Sequence, residues 1–289
     1  MPAVSAFYHF APLPDPEGAR RGILDIARQA DLLGTVLIAS EGVNGTVSGQ
    51  RESIDVLLEH LRRLPGFAAL EAKHSTAEEP PFGRLKVKLK AEIVSMGEPG
   101  LDPTTVGTYV APAEWNALIS APDVAVIDTR NGYEVEIGRF EGAVDPGTES
   151  FRDFPAWWEA NAGRFEGKRL AMYCTGGIRC EKATAYLKAQ GVEGVHHLRG
   201  GILKYLEEVP EAESLWQGGC FVFDRRVSVT HGLEEGGHVL CHGCRKPLEP
   251  TDLDHPDYEP GVACHRCAPM TSAEDKARYR TRHRQMAGS

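Results

Sequence analysis

No apolar run in the sequence approaches the roughly 20 residues needed to cross a bilayer. Met1–Phe10 lacks the basic start, apolar stretch and small-residue cleavage site of an export signal. We therefore expect a cytoplasmic protein with no membrane span. A cationic excess is missing too: 32 Lys and Arg stand against 41 Asp and Glu, a formal net charge of −9. That argues against nonspecific nucleic-acid binding by the whole surface, while leaving room for a local basic track. There is no dinucleotide-binding glycine fingerprint of a flavin or nicotinamide enzyme and no evident His–His–carboxylate iron set. Long internal repeats and low-complexity tracts are absent as well. Cysteine is sparse, seven in 289 residues. With no export signal this argues against a disulfide scaffold and points to metal binding or thiol chemistry in a reducing compartment.

What is present divides naturally. At roughly 100–200 residues per domain, the length suggests two or three units. Residues 1–95 read as strand–helix–strand–strand–helix–strand, the order of a ferredoxin-like α+β sandwich. Its strands are Val4–Phe10, Thr35–Ala39, Thr46–Ser48 and Arg84–Val94; its helices follow the apolar spacing of 16–34 and 54–64. Asn44-Gly45 is expected to form a tight hairpin turn. A Gly- and Pro-containing linker, 96–107, follows. Residues 108–216 alternate strand and helix (Val124–Asp128, Phe154–Asn161, Leu170–Tyr173, Cys180–Gln190, Val195–Leu198), which implies an α/β domain with a parallel sheet. Residues 217–289 hold a small Cys-rich module and a charged tail.

The strand 169–173 runs into Cys174-Thr175-Gly176-Gly177-Ile178-Arg179 and then a helix. Ligands of open α/β sheets bind where strand ends meet helix starts. Thr175, Gly176, Gly177 and Ile178 can turn backbone N–H groups inward as an anion cradle. A cysteine there should be a thiolate near neutral pH, and hence a nucleophile. Arg179 adds a fixed positive charge. Tyrosine-phosphatase-type loops keep five residues between Cys and Arg, whereas here there are four. The smaller ring suits a persulfide sulfur better than a phosphoryl group, so a phosphatase is rejected. Cys180 could resolve an oxidised Cys174 or simply be a small residue at a helix start. Cys220 is expected to be a small buried residue.

Cys241-x-x-Cys244 and Cys264-x-x-Cys267 are separated by nineteen residues. Two such knuckles suit a tetrahedral structural zinc site of four thiolates, a zinc-ribbon-like module; the plainer readings are two disulfides or four free thiols. His242 and His265 lie inside the knuckles and are expected to face solvent rather than bind metal.

Arg84, Lys86, Lys88 and Lys90 alternate with Leu85, Val87 and Leu89. On a strand this places four cations on one face, a candidate phosphate track for nucleic acid or else a solvated edge. The tail cations Lys276, Arg278, Arg280, Arg282 and Arg284 form a second, weaker candidate, disordered until it binds, with a merely solubilising tail as the plainer reading.

The loop, Val124–Arg130, Gly138–Pro146 and Leu198-Arg199-Gly200-Gly201 together resemble the rhodanese family; Arg139 departs from its usual histidine, which bears on local packing. Further likeness lies in Glu41–Thr46, Val135–Ala143, Phe151–Pro155, Cys174–Lys182 and the tail cysteines. These resemble the bacterial tRNA uridine hydroxylases of the rhodanese superfamily over nearly the full length. The resemblance implies 5-hydroxyuridine formation at the tRNA wobble position, with molecular oxygen as co-substrate and the loop cysteine essential. The same loop would serve a sulfurtransferase passing persulfide sulfur to a thiol or to tRNA. A non-enzymatic RNA-binding or oxidant-sensing module is a third reading.

Overall fold

The computed structural model describes residues 1–98, 101–102 and 105–287. The N-terminal unit consists of β1 (Ala3–Phe10), α1 (Pro16–Gln29), β2 (Leu33–Ala39), β3 (Gly42–Gly49), α2 (Arg51–Arg62), β4 (Ala72–Thr76) and β5 (Leu85–Leu89). Its sheet order is β4-β1-β3-β2-β5, the ferredoxin-like arrangement with β5 added beside β2 and parallel to it. Asp15 caps α1 by accepting from the Gly18 N–H, and Pro16 pre-sets the first turn. The helical periodicity puts Ile23, Ala27, Ile54, Leu57 and Leu61 onto Val36, Ile38, Val43 and Val47 of the sheet.

Two local expectations fail here. Asn44-Gly45 is not a turn: both lie inside β3, and the chain reverses at Ser40–Glu41. Eight paired positions with β1, from Ala3↔Gly49 to Phe10↔Gly42, override the local preference. Gly42, at φ 150°, is required instead, since a Cβ there would stand 2.1 Å from the His9 carbonyl oxygen. The fourth strand of the sandwich is 72–76 rather than 84–94. Its residues, Ala72-Lys73-His74-Ser75-Thr76, carry almost no apolar signal, and the alternating Lys strand is a short edge addition.

The second unit has β6 (Thr108–Val110), α3 (Pro112–Ile119), β7 (Val124–Asp128), α4 (Gly132–Val135), β8 (Gly138–Phe140), α5 (Phe154–Asn161), β9 (Arg169–Tyr173), α6 (Ile178–Ala189), β10 (Val195–Leu198) and α7 (Gly201–Glu208). Its sheet, β6-β10-β9-β7, is wholly parallel. Both faces are covered, so β9 reads as a continuous apolar run. Ala171 and Tyr173 join a core with Trp115, Phe140 and Trp216; Leu170 and Met172 join another with Phe154, Trp158 and Leu187. From the expected linker Met96 is buried in this second core, whereas Pro99, Gly100, Pro103 and Thr104 lie outside the described residues.

Next, β11 (Trp216–Gly218) pairs with β8, and β12 (Cys220–Phe221) pairs with β13 (Ser228–Val229). Cys220, Val229 and Leu233 pack into the Trp115 core. Burial pushes the Cys220 thiol up to about 12. Arg139, by contrast, is exposed on β8. The Cys-rich module contains β14 (Val239–Leu240) and β15 (Pro247–Leu248). The tail is not coil: it forms α8 (Ala273–Ala287), tied down by Arg280 to Glu259 and by Arg282 donating to the His242 carbonyl at 2.7 Å. Among the described residues no helix is long and apolar enough to cross a membrane.

Candidate active site and cysteine cluster

The cysteine loop falls between the end of β9 and the start of α6. Gly177, at φ 101°, caps α6 in the left-handed region, and its N–H donates to Cys174 Sγ at 3.1 Å. Burial opposes ionisation of Cys174. The Cys180 thiol, the Arg179 guanidinium and the N–H groups of Cys180 and Arg179 outweigh it and hold the Cys174 thiol well below its ordinary range. Cys174 has no exposed surface. Cys180 is also buried, beside Thr129 Oγ1 at 3.4 Å. Burial and the Cys174 charge push the Cys180 thiol far up. It serves the thiolate as a neutral donor.

Arg179 does not present a free fork of donors. It gives both terminal nitrogens to Glu134, at 2.6 and 2.7 Å, and approaches Thr175 Oγ1 at 3.3 Å. Glu134 is fully buried on α4, closing a capping box with Asn131. Burial alone would raise its carboxyl, but Arg179 wins and holds it below the usual carboxylate range. Asp128 and Arg130 brace this arrangement. Arg130, with no exposure, donates to Asp128 at 2.6 Å, to the Glu134 carbonyl at 3.1 Å and to the Gly138 carbonyl at 2.6 Å. It thereby fixes α4 to the end of β7.

The loop's other side rests on α7. The N–H groups of Ile202 and Leu203 donate to the carbonyls of Cys174 and Thr175, both at 3.0 Å. Gly200 and Gly201 have φ of 74° and 68°, and a Cβ on Gly201 would stand 2.5 Å from the Cys174 carbonyl oxygen.

The N-terminal unit completes the site with residues the sequence did not reveal. Lys73 Nζ donates to the Gly176 carbonyl at 2.9 Å, and burial draws its ammonium down to about 8. Tyr8 donates to Glu181 of α6 at 2.7 Å. Lys182 reaches back to Glu41 and Glu92 at 2.9 and 2.7 Å. Register explains how these meet the basic strand. Lys73 pairs with Ala6, Ala6 with Thr46, Thr46 with Thr35, and Thr35 with Lys86. Lys86 and Lys88 therefore share a sheet face with Lys73 and Tyr8, while Leu85 and Val87 face the helices.

The four sulfurs of Cys241, Cys244, Cys264 and Cys267 lie within 4.8 Å of one another, with separations of 3.8 to 3.9 Å across hydrogen-bonding pairs. Four Zn–S bonds of about 2.3 Å in a tetrahedron require about 3.8 Å between sulfurs. Disulfides need about 2.05 Å, and all seven cysteines are free. The donor set fits zinc or a similar thiophilic metal. His242 and His265 stay outside it; both are half-buried rather than solvent-facing.

Known proteins match this architecture along its length. A family model described as the UPF0176 acylphosphatase like domain covers residues 3–93, and one described as a rhodanese-like domain covers 111–208. The chain is 62% identical over 287 residues to a protein of Jannaschia sp. (strain CCS1), matching 99% of this chain and 95% of that one. It is 59% identical over 288 residues to one of Ruegeria pomeroyi (99% and 96%) and 56% identical over 290 residues to one of Caulobacter vibrioides NA1000 (98% and 92%). All three bear the name tRNA uridine(34) hydroxylase. The chain belongs to the tRNA uridine(34) hydroxylase family.

Proposed function

We infer that this chain is an enzyme that hydroxylates uridine 34 of tRNA to 5-hydroxyuridine, with Cys174 as nucleophile. The observation that carries this is end-to-end similarity to tRNA uridine(34) hydroxylases in a chain whose rhodanese loop stabilises a cysteine thiolate. Arg179 lowers the thiol, while Glu134 holds Arg179 and Thr175 in place. Lys86 and Lys88 of β5, with Arg84 and Lys90 at its two ends, supply phosphate contacts.

Thiolate addition at C6 of uracil opens the C5–C6 π bond and moves its electron pair to C5, which bonds one atom of molecular oxygen. Cleaving the O–O bond takes two electrons and two protons from a thiol reductant and releases the second atom as water. Loss of the C5 proton then expels the thiolate and restores the double bond. A persulfide on Cys174 would follow the same course through its outer sulfur. Because Cys174 is covered, uridine must displace its cover to react. Zinc held by Cys241, Cys244, Cys264 and Cys267 would crosslink the C-terminal module and take no part in these steps.

Nucleoside mass spectrometry of tRNA from cells lacking the gene, complemented with wild type or Cys174→Ser, tests this reading. A missing oxygen that only wild type restores supports it. A missing sulfur indicates sulfur transfer instead, and unchanged tRNA leaves no modifying activity.

A further inference from the structure

A groove of ≈1270 Å³ runs between the three units, lined by the 81–86 segment, α4, residues 221–227 and the Cys-rich module. Its walls combine aromatics, among them Phe82, Tyr133 and Phe223, with the cations Lys86, Arg225 and Arg245. Phe223 is 63% exposed, an unusual setting for a large apolar ring. It is nonetheless held firmly. Phe221 packs edge-on between Tyr133 and Phe223, with ring centroids 5.3 and 5.2 Å apart, and the Arg179 guanidinium lies 5.9 Å from the Phe223 centroid. Tyr133 precedes Glu134, the residue that grips Arg179. The exposed ring is thus coupled to the cysteine loop through two successive residues of α4.

Charge selects the occupant. Two of the lining acids are neutralised, Glu136 by Arg266 and Asp224 by Arg226. No ion pair holds Lys86, Arg225 or Arg245 among the described residues, and the other lining acids are Asp145 and Glu149. Rings flanked by free cations are how sequence-tolerant sites hold unstacked nucleotides, by base–aromatic stacking and phosphate contact.

We propose that this groove binds the single-stranded anticodon loop of tRNA, with Phe223 as the platform on which one loop base stacks and Arg225 and Arg245 on the backbone. The assignment rests on the tRNA reading above and adds to it a residue that positions substrate. Lys86 links it to the basic strand, and its other wall belongs to the metal-binding module, so the groove exists only in the complete chain.

The test is fluorescence anisotropy of the full-length, metal-replete protein with an anticodon stem-loop RNA carrying uridine at position 34. Phe223→Ala should weaken binding between about fivefold and 150-fold, the range for removal of one base–aromatic stack; Phe223→Trp should bind within about twofold of wild type. Arg225→Ala with Arg245→Ala should lower the slope of log affinity against log salt by about one for each phosphate no longer neutralised. Wild-type affinity in Phe223→Ala, at an unchanged melting temperature, overturns the proposal. Failures of the two readings are separable. A protein that binds the stem-loop through Phe223 but adds no oxygen keeps the groove and loses the activity. One that hydroxylates tRNA with the same KM in Phe223→Ala keeps the activity and loses the groove.

Discussion

Glu134 carries its charge with no exposed surface, and Arg179 answers it with two hydrogen bonds of 2.6 and 2.7 Å. Removing one partner of a buried pair leaves the other uncompensated, a cost of about 3–5 kcal/mol. Arg179→Ala should therefore lower unfolding stability in urea by about that much. It should also weaken a pH dependence. In wild type the folded-state carboxyl of Glu134 lies below its unfolded value. Its stabilisation is full above the unfolded pKa and is lost as pH falls through the folded one. Without Arg179, burial is still opposed by the Arg130 charge and the Asn131 N–H, but the folded pKa rises, and the variant should lose less stability on acidification than wild type. The same substitution should raise the pH at which Cys174 is alkylated. Equal stability–pH curves for both proteins would contradict this assignment. The loop itself was legible in the sequence because its glycines, Cys and Arg sit together between a strand and a helix. Glu134 closes a capping box three positions after Asn131. Nothing local marks its second task, 45 residues from Arg179.

Elements explain both where the sequence sufficed and where it failed. Residues 124–128, 154–161 and 170–173 carry apolar runs or periodicity that the parallel sheet and its helices realise. By contrast β4 is polar, and its place in the sheet comes from pairing with β1. Its contribution to the site, Lys73, therefore had no sequence signal. The two-glycine turn that opens α7 is a sensitive backbone element of the site. Gly201→Ala combines a left-handed φ with a Cβ overlapping the Cys174 carbonyl, and so should cost about 1–2 kcal/mol for the backbone alone. Thermal denaturation reads the loss, and the displaced loop should slow Cys174 alkylation. A fully stable variant with wild-type alkylation would show that the turn tolerates a side chain. For β5, changing Lys86, Lys88 and Lys90 to Glu should weaken tRNA binding and flatten its salt dependence. A gel-shift series across salt checks this; unchanged affinity would reduce the strand to a solvated edge.

For the whole molecule, the contacts converge on one place. The N-terminal sheet reaches the cysteine loop through Lys73 and Tyr8, and α6 reaches back through Lys182 to Glu41 and Glu92. The Cys-rich module meets the rhodanese unit where Arg266 and Lys246 pair with Glu136, two residues after Glu134. Stripping metal with a strong chelator should release one zinc-like ion and lower the melting temperature of the module, because bound metal supplies its folding free energy. Unchanged stability and no released metal would contradict the four-sulfur site. The motifs Cys-x-x-Cys and Cys-Thr-Gly-Gly-Ile-Arg are short enough to read from sequence; the assembly of three units around the loop is made by long-range pairs that no periodicity encodes.

Cys174 as the nucleophile of an oxygen-dependent hydroxylation is the central claim, and isotope tracing tests it most directly. Purified protein, tRNA bearing uridine 34 and a thiol reductant are incubated under isotopically labelled oxygen gas, and the nucleosides are weighed. The account predicts 5-hydroxyuridine carrying one labelled oxygen with wild type and none with Cys174→Ser. Label entering from water, sulfur in place of oxygen, or full activity in Cys174→Ser would contradict it.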